Sequence, residues 1–375
     1  VEGGEARPSR RLSRRQHRTD RMTLKAVIVA DDLTGALDTG TPFVEAGLSV
    51  AVAVDVEAAE DAIATGCDVV VINTASRALG EREAAERVRL ATEALRGVKP
   101  AVVMKKIDSR LKGNVAAESL ALADALGLET ILVAPAIPDQ ERVTYRGCVV
   151  GRGVDKPLPI ADLFEGRAGN VAVADAKDDS DLDQIVTDHD WGQTLAVGAR
   201  GLGAALARQL GETGRQPVPE FAATRRTLFA FGSRDPITAT QMNQLEASGV
   251  LRTVMDAPIG EIEGGEGMAL PALLRCTGDM AADAALVARR FAAGVRSVID
   301  DTKPDMLMVG GGDTALAVFQ ALEVRVLAPK GEIEAGVPWF DVTAADGRHF
   351  RCAVKSGGFG NPDSLLRLVL WNRAA

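Results

Sequence analysis

From Leu24 onward, short runs of Val, Ile, Leu and Ala alternate with segments of helical periodicity. KAVIVADD is an apolar run closed by two carboxylates, and TGALDTGTPFVEAG reads as a loop feeding a helix. AVAVDV and CDVVVINTASR follow as strands, then a charged amphipathic stretch from Gly80 to Arg96 as a helix. AVVMKKIDSR, NVAAESLALADALG and TILVAPAIP repeat the order strand, helix, strand. Such alternation predicts βαβ units and a parallel sheet. The runs give out at Asp31-Asp32, Ser76-Arg77, Asp108-Ser109-Arg110 and Pro135. In open parallel sheets ligands bind outside the carboxyl ends of the strands, so these endings converge on one site.

The segment from Tyr145 to Phe164, rich in Gly, Pro and charge, reads as an irregular excursion. NVAVADA and TLAVGARGLGAALARQL restore the pattern, and GETGRQPVPEFAATRR then reads as a loose connection. A second α/β unit opens with TLFAFGSRD and the helix-like TATQMNQLEASG. An Ala-rich helix from Met280 to Arg296 follows, then DMLMVGGGDTALAVFQAL and CAVKSGGFGNPDSLLRLVL. The expected organisation is an extension at 1–23, a domain at 24–215, a linker at 216–226 and a domain at 227–375. The fold class is α/β: two domains, each a largely parallel sheet flanked by helices, with the active site in the interdomain cleft.

Composition narrows the function. With 46% hydrophobic, 25% charged and only 4% aromatic residues, the core must be aliphatic, as buried parallel strands under Ala-rich helices require. The net charge is −9, and the first 21 residues carry a local +4, which leaves about −13 on the rest. An acidic body argues against a nucleic-acid groove, and the basic opening segment reads as a disordered extension. Four scattered cysteines (Cys67, Cys148, Cys276, Cys352) without CxxC fit reduced thiols, with Cys148 and Cys352 reading as small buried hydrophobes. Three dispersed histidines make a zinc site a poor expectation. No apolar run is long enough for a bilayer, so the expectation is a cytoplasmic protein with no membrane partner. A homo-oligomer is compatible with this composition.

Asp31 and Asp32 would repel each other at a strand end unless a cation, a donor or a substrate hydroxyl accepts them. One of them could orient or deprotonate an attacking hydroxyl. Equally, either could simply cap the following helix with Thr34. Lys105, Lys106, Asp108, Ser109 and Arg110 crowd another strand end, and alternation sets Lys106 and Asp108 on one face. Arg77 or Lys106 with Ser109 could take a carboxylate, or the cluster could be a solvated strand end. Gly310-Gly311-Gly312-Asp313-Thr314 joins a strand to a helix, where backbone N–H groups and the helix dipole suit a phosphate. It is neither a P-loop nor GxGxxG, and one such turn can be only a tight turn. A second loop, Lys355-Ser356-Gly357-Gly358-Phe359-Gly360, in the same unit favours a nucleotide.

Four segments in order, VIVADDLTGALDTG, KKIDSRLKGNVAAE, MVGGGDTALAV and VKSGGFG, resemble the four-carbon acid sugar kinase family across roughly Lys25 to Asn361. The resemblance implies an N-terminal domain that binds a sugar acid and a C-terminal domain that binds ATP with Mg²⁺. It implies phosphoryl transfer to a terminal hydroxyl of a threonate, erythronate or 3-oxo-tetronate. By the same resemblance Asp31, Arg77, Lys106, Ile107, Asp108 and Ser109 bind substrate, with Asp31 or Asp32 as the catalytic carboxylate. Ser233, Gly310 through Thr314 and Lys355 through Gly358 would bind ATP. Where the family has a Gly-Arg-Thr-type loop after APAIP, this chain has DQERVTYRG, which leaves the part of Arg142 open. Two other readings stay beside this one: a nicotinamide-dependent dehydrogenase, which lacks GxGxxG after its first strand, and a sugar-acid sensor without turnover.

Overall fold

The structure, a computed structural model, describes residues 24–211, 218–233, 235–265, 267–278, 282–344 and 346–370. The expected extension at 1–23, part of the linker and Met280 lie outside the described residues.

The first half begins β1 (Ala26–Ala30), α1 (Leu33–Glu45), β2 (Val50–Ala53), α2 (Ala59–Ala64) and β3 (Val69–Asn73). It continues α3 (Glu81–Glu93), β4 (Val102–Lys106), α4 (Val115–Leu126) and β5 (Thr130–Ala134). After β6 (Arg142–Tyr145), β7 (Cys148–Gly151) and β8 (Leu158–Pro159) come β9 (Asn170–Val173), α5 (Asp179–Asp188), β10 (Thr194–Gly198) and α6 (Arg200–Leu210). The second half opens with β11 (Thr227–Phe231), α7 (Pro236–Ala247), β12 (Thr253–Pro258) and β13 (Ala272–Thr277). It then runs α8 (Ala284–Thr302), β14 (Met306–Gly310), α9 (Gly312–Ala321), β15 (Val326–Glu332), β16 (Pro338–Thr343), β17 (His349–Lys355) and α10 (Ser364–Leu370).

The central strands are buried along their whole length, which is why they read as unbroken Val/Ile/Leu runs rather than as alternation. The helices show one apolar face: α3 buries Ala84, Ala85, Val88 and Ala91 and turns its charges outward. The two sheets expected from the sequence are joined edge to edge into one of 14 strands, in the order β12-β13-β11-β14-β17-β16-β15-β2-β3-β1-β4-β10-β5-β9. Seven strands come from each half, and the seam is a short antiparallel pairing of Leu327 with Val52 and Val326 with Ala53. Phe221, in the irregular stretch before β11, packs edge-on against Trp339 of β16.

Three antiparallel steps separate β17 from β2, so the parallel strands of the two halves are nominally opposed. Sheet twist undoes this opposition. Six steps lead from β14 to β1, and at about 20–25° each they rotate the strands by roughly 120–150°. The carboxyl ends of both halves therefore face one cleft. Arg200 of α6 ties the halves beside it, pairing with Glu332 of β15 at 2.5 Å and with Asp38 of α1 at 2.8 Å.

The segment read as irregular contains a small antiparallel sheet, β6-β7-β8, and corrects that expectation. Arg146 and Gly147 both have positive φ, 51° and 72°, and form the two-residue turn between β6 and β7. Arg-Gly advertises such a turn less clearly than Asn-Gly does. All four cysteines are free, and burial pushes the Cys352 thiol up, which leaves it inert. Among the described residues, no helix is long and apolar enough to cross a membrane.

Candidate functional site

Three neighbouring strands build the first wall. β1 lies between β3 and β4, with Ala30 opposite both Asn73 and Lys106, so the residues that follow each strand emerge side by side. Asp31 accepts two hydrogen bonds from Arg77, from Nε at 2.9 Å and Nη2 at 2.8 Å. The same Nη2 donates to Asp32 Oδ1 at 2.8 Å. Asp32 also accepts from the Gly35 N–H at 3.0 Å and from the Thr34 hydroxyl at 2.5 Å. It thus caps α1 and lines the cleft at once.

The two carboxyls are unlike. Burial raises both, but at Asp31 the charges of Lys105, Arg77 and Lys106 outweigh it and hold the group below its ordinary value. At Asp32 burial prevails, opposed by Arg77 and reinforced by the charge of Asp31, and the carboxyl stays above its ordinary value. Asp31 is therefore the fixed anion that holds Arg77, and Asp32 is the group able to receive a proton.

Alternation along β4 explains its two lysines. Lys106 faces the cleft and donates to the Ile107 carbonyl at 2.9 Å. Lys105 points the other way and pairs with Glu118 of α4 at 3.1 Å, both side chains only 1% exposed. Glu118 also accepts from the Ser76 hydroxyl at 3.0 Å, so the pair pins the ends of β3 and β4 behind Asp31. Glu118→Ala strands a buried ammonium, and a loss of about 3–5 kcal/mol in unfolding free energy is expected. Urea titration checks it, and an unchanged midpoint would show that the pair does not hold this wall.

The second wall repeats the design in the other half. β11, β14 and β17 are adjacent and parallel, with Gly310 opposite both Phe231 and Lys355. Their ends present Ser233, then Gly311 to Thr314, then Ser356 to Gly358. Gly311 sits at φ 104° and precedes α9 with no side-chain cap, so the first N–H groups of that helix are left to the cleft. Only glycine adopts that turn without strain.

Between the walls lies one cavity of about 890 Å³. It is lined by Asp31, Asp32, Arg77, Lys106, Asp108 and Ser109 from the first half and by the three loops from the second. Ile107, Gly310 and Lys355 lie behind it. Ile107 is buried, with its N–H bonded to Gly198 O at 2.9 Å. A side chain on Gly310 would run into the Phe231 ring. Lys355 holds its own loop, donating to Ser356 O at 2.8 Å, Gly357 O at 3.2 Å and Thr238 Oγ1 at 3.1 Å. Burial lowers its pKa to about 8, while Asp235 and Glu334 pull the other way.

Arg110, at a strand end expected to face the site, and Arg142, whose part the sequence left open, both line the cleft, while Lys112, Asp235 and an apolar patch of Val287, Ala288, Phe291 and Leu316 were not expected there. The patch comes from one face of α8 and from α9, and looks like ordinary core when read along the chain. Among the described residues, no group of three or more His, Cys, Asp or Glu could hold a metal ion.

Asp32 on one wall thus faces the glycine turn before α9 on the other. The chain belongs to the four-carbon acid sugar kinase family. Residues 26–159 match its sugar-binding N-terminal domain and residues 272–365 its nucleotide-binding C-terminal domain. The chain is similar to a D-threonate kinase of Bordetella bronchiseptica, 30% identical over 91% of this chain and 95% of that protein. It is also similar to a 3-oxo-tetronate kinase of Methylobacterium radiotolerans, 26% identical over 91% and 98%. A solved structure from Salmonella typhimurium LT2 matches with a TM-score of 0.72, covering 94% of this chain and 99% of that one. At 20% identity it speaks for the fold alone.

Proposed function

We propose that the chain is an ATP-dependent kinase that phosphorylates a four-carbon sugar acid on its terminal hydroxyl. The observation that carries this reading is the closeness of the two walls: a Cβ placed on Gly312 would lie 3.5 Å from Asp32 Oδ2. A phosphoryl group seated on the N–H groups of Gly312 to Thr314 would meet a hydroxyl held by Asp32.

Asp32 takes the hydroxyl proton as that oxygen bonds to the γ-phosphorus, and the bond from the γ-phosphorus to the ADP oxygen breaks. Arg77, held by both aspartates, fixes their geometry. The half at 24–215 holds the acid, the half at 227–375 holds ATP, and 216–226 links them. The patch formed by Val287, Ala288, Phe291 and Leu316 suits the face of a nucleobase. Mg²⁺ would be held by the phosphates and water with Asp313 or Asp235 nearby, and would neutralise phosphate charge. The Bordetella and Methylobacterium relatives are named for different acids, so the acid itself is a matter for assay.

The test is ADP release with D-threonate, L-threonate, D-erythronate and 3-oxo-tetronate. One acid is expected to raise release at least about 10²-fold over ATP alone, because alignment supplies most of the rate in such a transfer. Release that ignores every acid would refute the reading.

A further inference from the structure

Lys105 pairs with Glu118, Arg77 with Asp31 and Asp32, and Arg200 with Asp38 and Glu332, whereas Lys106 and Lys355 donate to carbonyls beside them. Arg142 also lacks an acidic hydrogen-bond partner among the described residues. It opens β6, is half-buried and lines the cavity. Its hydrogen-bond partners among the described residues are both neutral. Nη1 donates to Ser109 Oγ at 2.5 Å, while Nε and Nη2 donate to Arg152 O at 3.1 and 3.0 Å. Those bonds fix the guanidinium plane and leave one hydrogen on Nη1 and one on Nη2. Ser109 accepts from Arg142, is 8% exposed and keeps its own hydroxyl proton to donate.

A second cation converges on the same place. A Cβ on Gly153 would lie 3.6 Å from Arg142 Nη2 and 3.9 Å from Arg110 Nη1. Burial and the charge of Arg110 push Arg142 down, Asp108 opposes them, and Arg152 adds to the repulsion. Two guanidinium groups drawn together repel each other, and an anion arriving between them relieves that repulsion. Asp108 cannot serve freely, because its Oδ1 caps the turn by accepting from the Arg110 N–H at 2.8 Å.

We propose that Arg142, oriented by Ser109 and flanked by Arg110, receives the substrate's carboxylate and so selects acids over uncharged polyols. This rests on the kinase reading above and assigns the end of the acid opposite the reacting hydroxyl. Arg77 is not the partner, since its charge is already shared by Asp31 and Asp32. Nor is the site a phosphate cradle, since the glycine loops supply that from the other half.

The test compares the best acid of the panel with its primary amide, in wild type, Arg142→Ala, Arg142→Lys and Ser109→Ala. Arg142→Ala is expected to raise KM for the acid by about 10–100-fold, the worth of a charge-assisted pair, with KM for ATP nearly unchanged. Its preference for acid over amide should collapse. Arg142→Lys should recover part of that preference, because the charge returns without the fork. Arg142 also anchors Arg152, so Ser109→Ala provides the arm that leaves that anchor alone, with a smaller rise in the same direction. Variants that keep the full acid preference, or that raise KM for ATP instead, would overturn the assignment. If wild type turned over no acid, the kinase reading alone would fail. Calorimetric binding of acid and amide to wild type and Arg142→Ala would then decide the carboxylate site by itself.

Discussion

Asp32→Asn is expected to lower kcat by about 10²-fold or more, the usual contribution of a positioned general base. The melting temperature should barely move, because asparagine caps a helix as well as aspartate does and keeps an oxygen for the Gly35 N–H. The pH profile adds a second signature. A base works only when deprotonated, and burial holds Asp32 above its ordinary value. Wild-type activity should therefore fall, as pH drops, at a higher pH than an ordinary aspartate would give. In the Asn variant that acidic limb should disappear. Wild-type turnover in Asp32→Asn would reduce Asp32 to a cap and pass the role of base to Asp31.

Gly312→Val tests the opposite wall. The β-carbon would meet Asp32 Oδ2 and Thr34 at 3.5 Å, an ordinary contact, so the chain should fold with a normal melting curve. The two γ-methyls, however, would occupy the space above the first N–H groups of α9. A loss of at least about 10²-fold in kcat/KM for ATP is expected, comparable with removing a donor aimed at the transferred charge. Calorimetry with each ligand alone separates the walls: ATP binding should weaken severely and acid binding only slightly. Loss of acid binding with ATP binding spared would invert the assignment of the two halves.

The residues of both walls could be read from the sequence because the same physics wrote them there. A strand buried on both faces must be apolar, so Ala26–Ala30 or Met306–Gly310 stands out, and the polar residues just past its end mark the crevice. Other features could not be read along the chain. The joining of the halves rests on the short pairing of β2 with β15, where APKGE interrupts the apolar pattern and the buried alternate positions fall on Pro329 and Gly331. The part of Arg142 stayed open for a related reason. It lies in a charged stretch without strong periodicity, and only the fold of β6 brings it against Ser109, 33 residues earlier. Ile107 and Lys355 show the converse. Their neighbours in sequence reach the cleft, but strand alternation turns Ile107 into the core, and Lys355 bends back to carbonyls of its own loop.

The most direct measurement is the phosphorus NMR spectrum of the product formed from ATP and the preferred acid, recorded with proton coupling. Transfer to the terminal hydroxyl across the cleft predicts a phosphomonoester signal split into a triplet by one CH₂ group, appearing in step with ADP. A doublet from a secondary carbon would contradict the proposed orientation of the acid. Inorganic phosphate alone would contradict transfer between the two walls altogether.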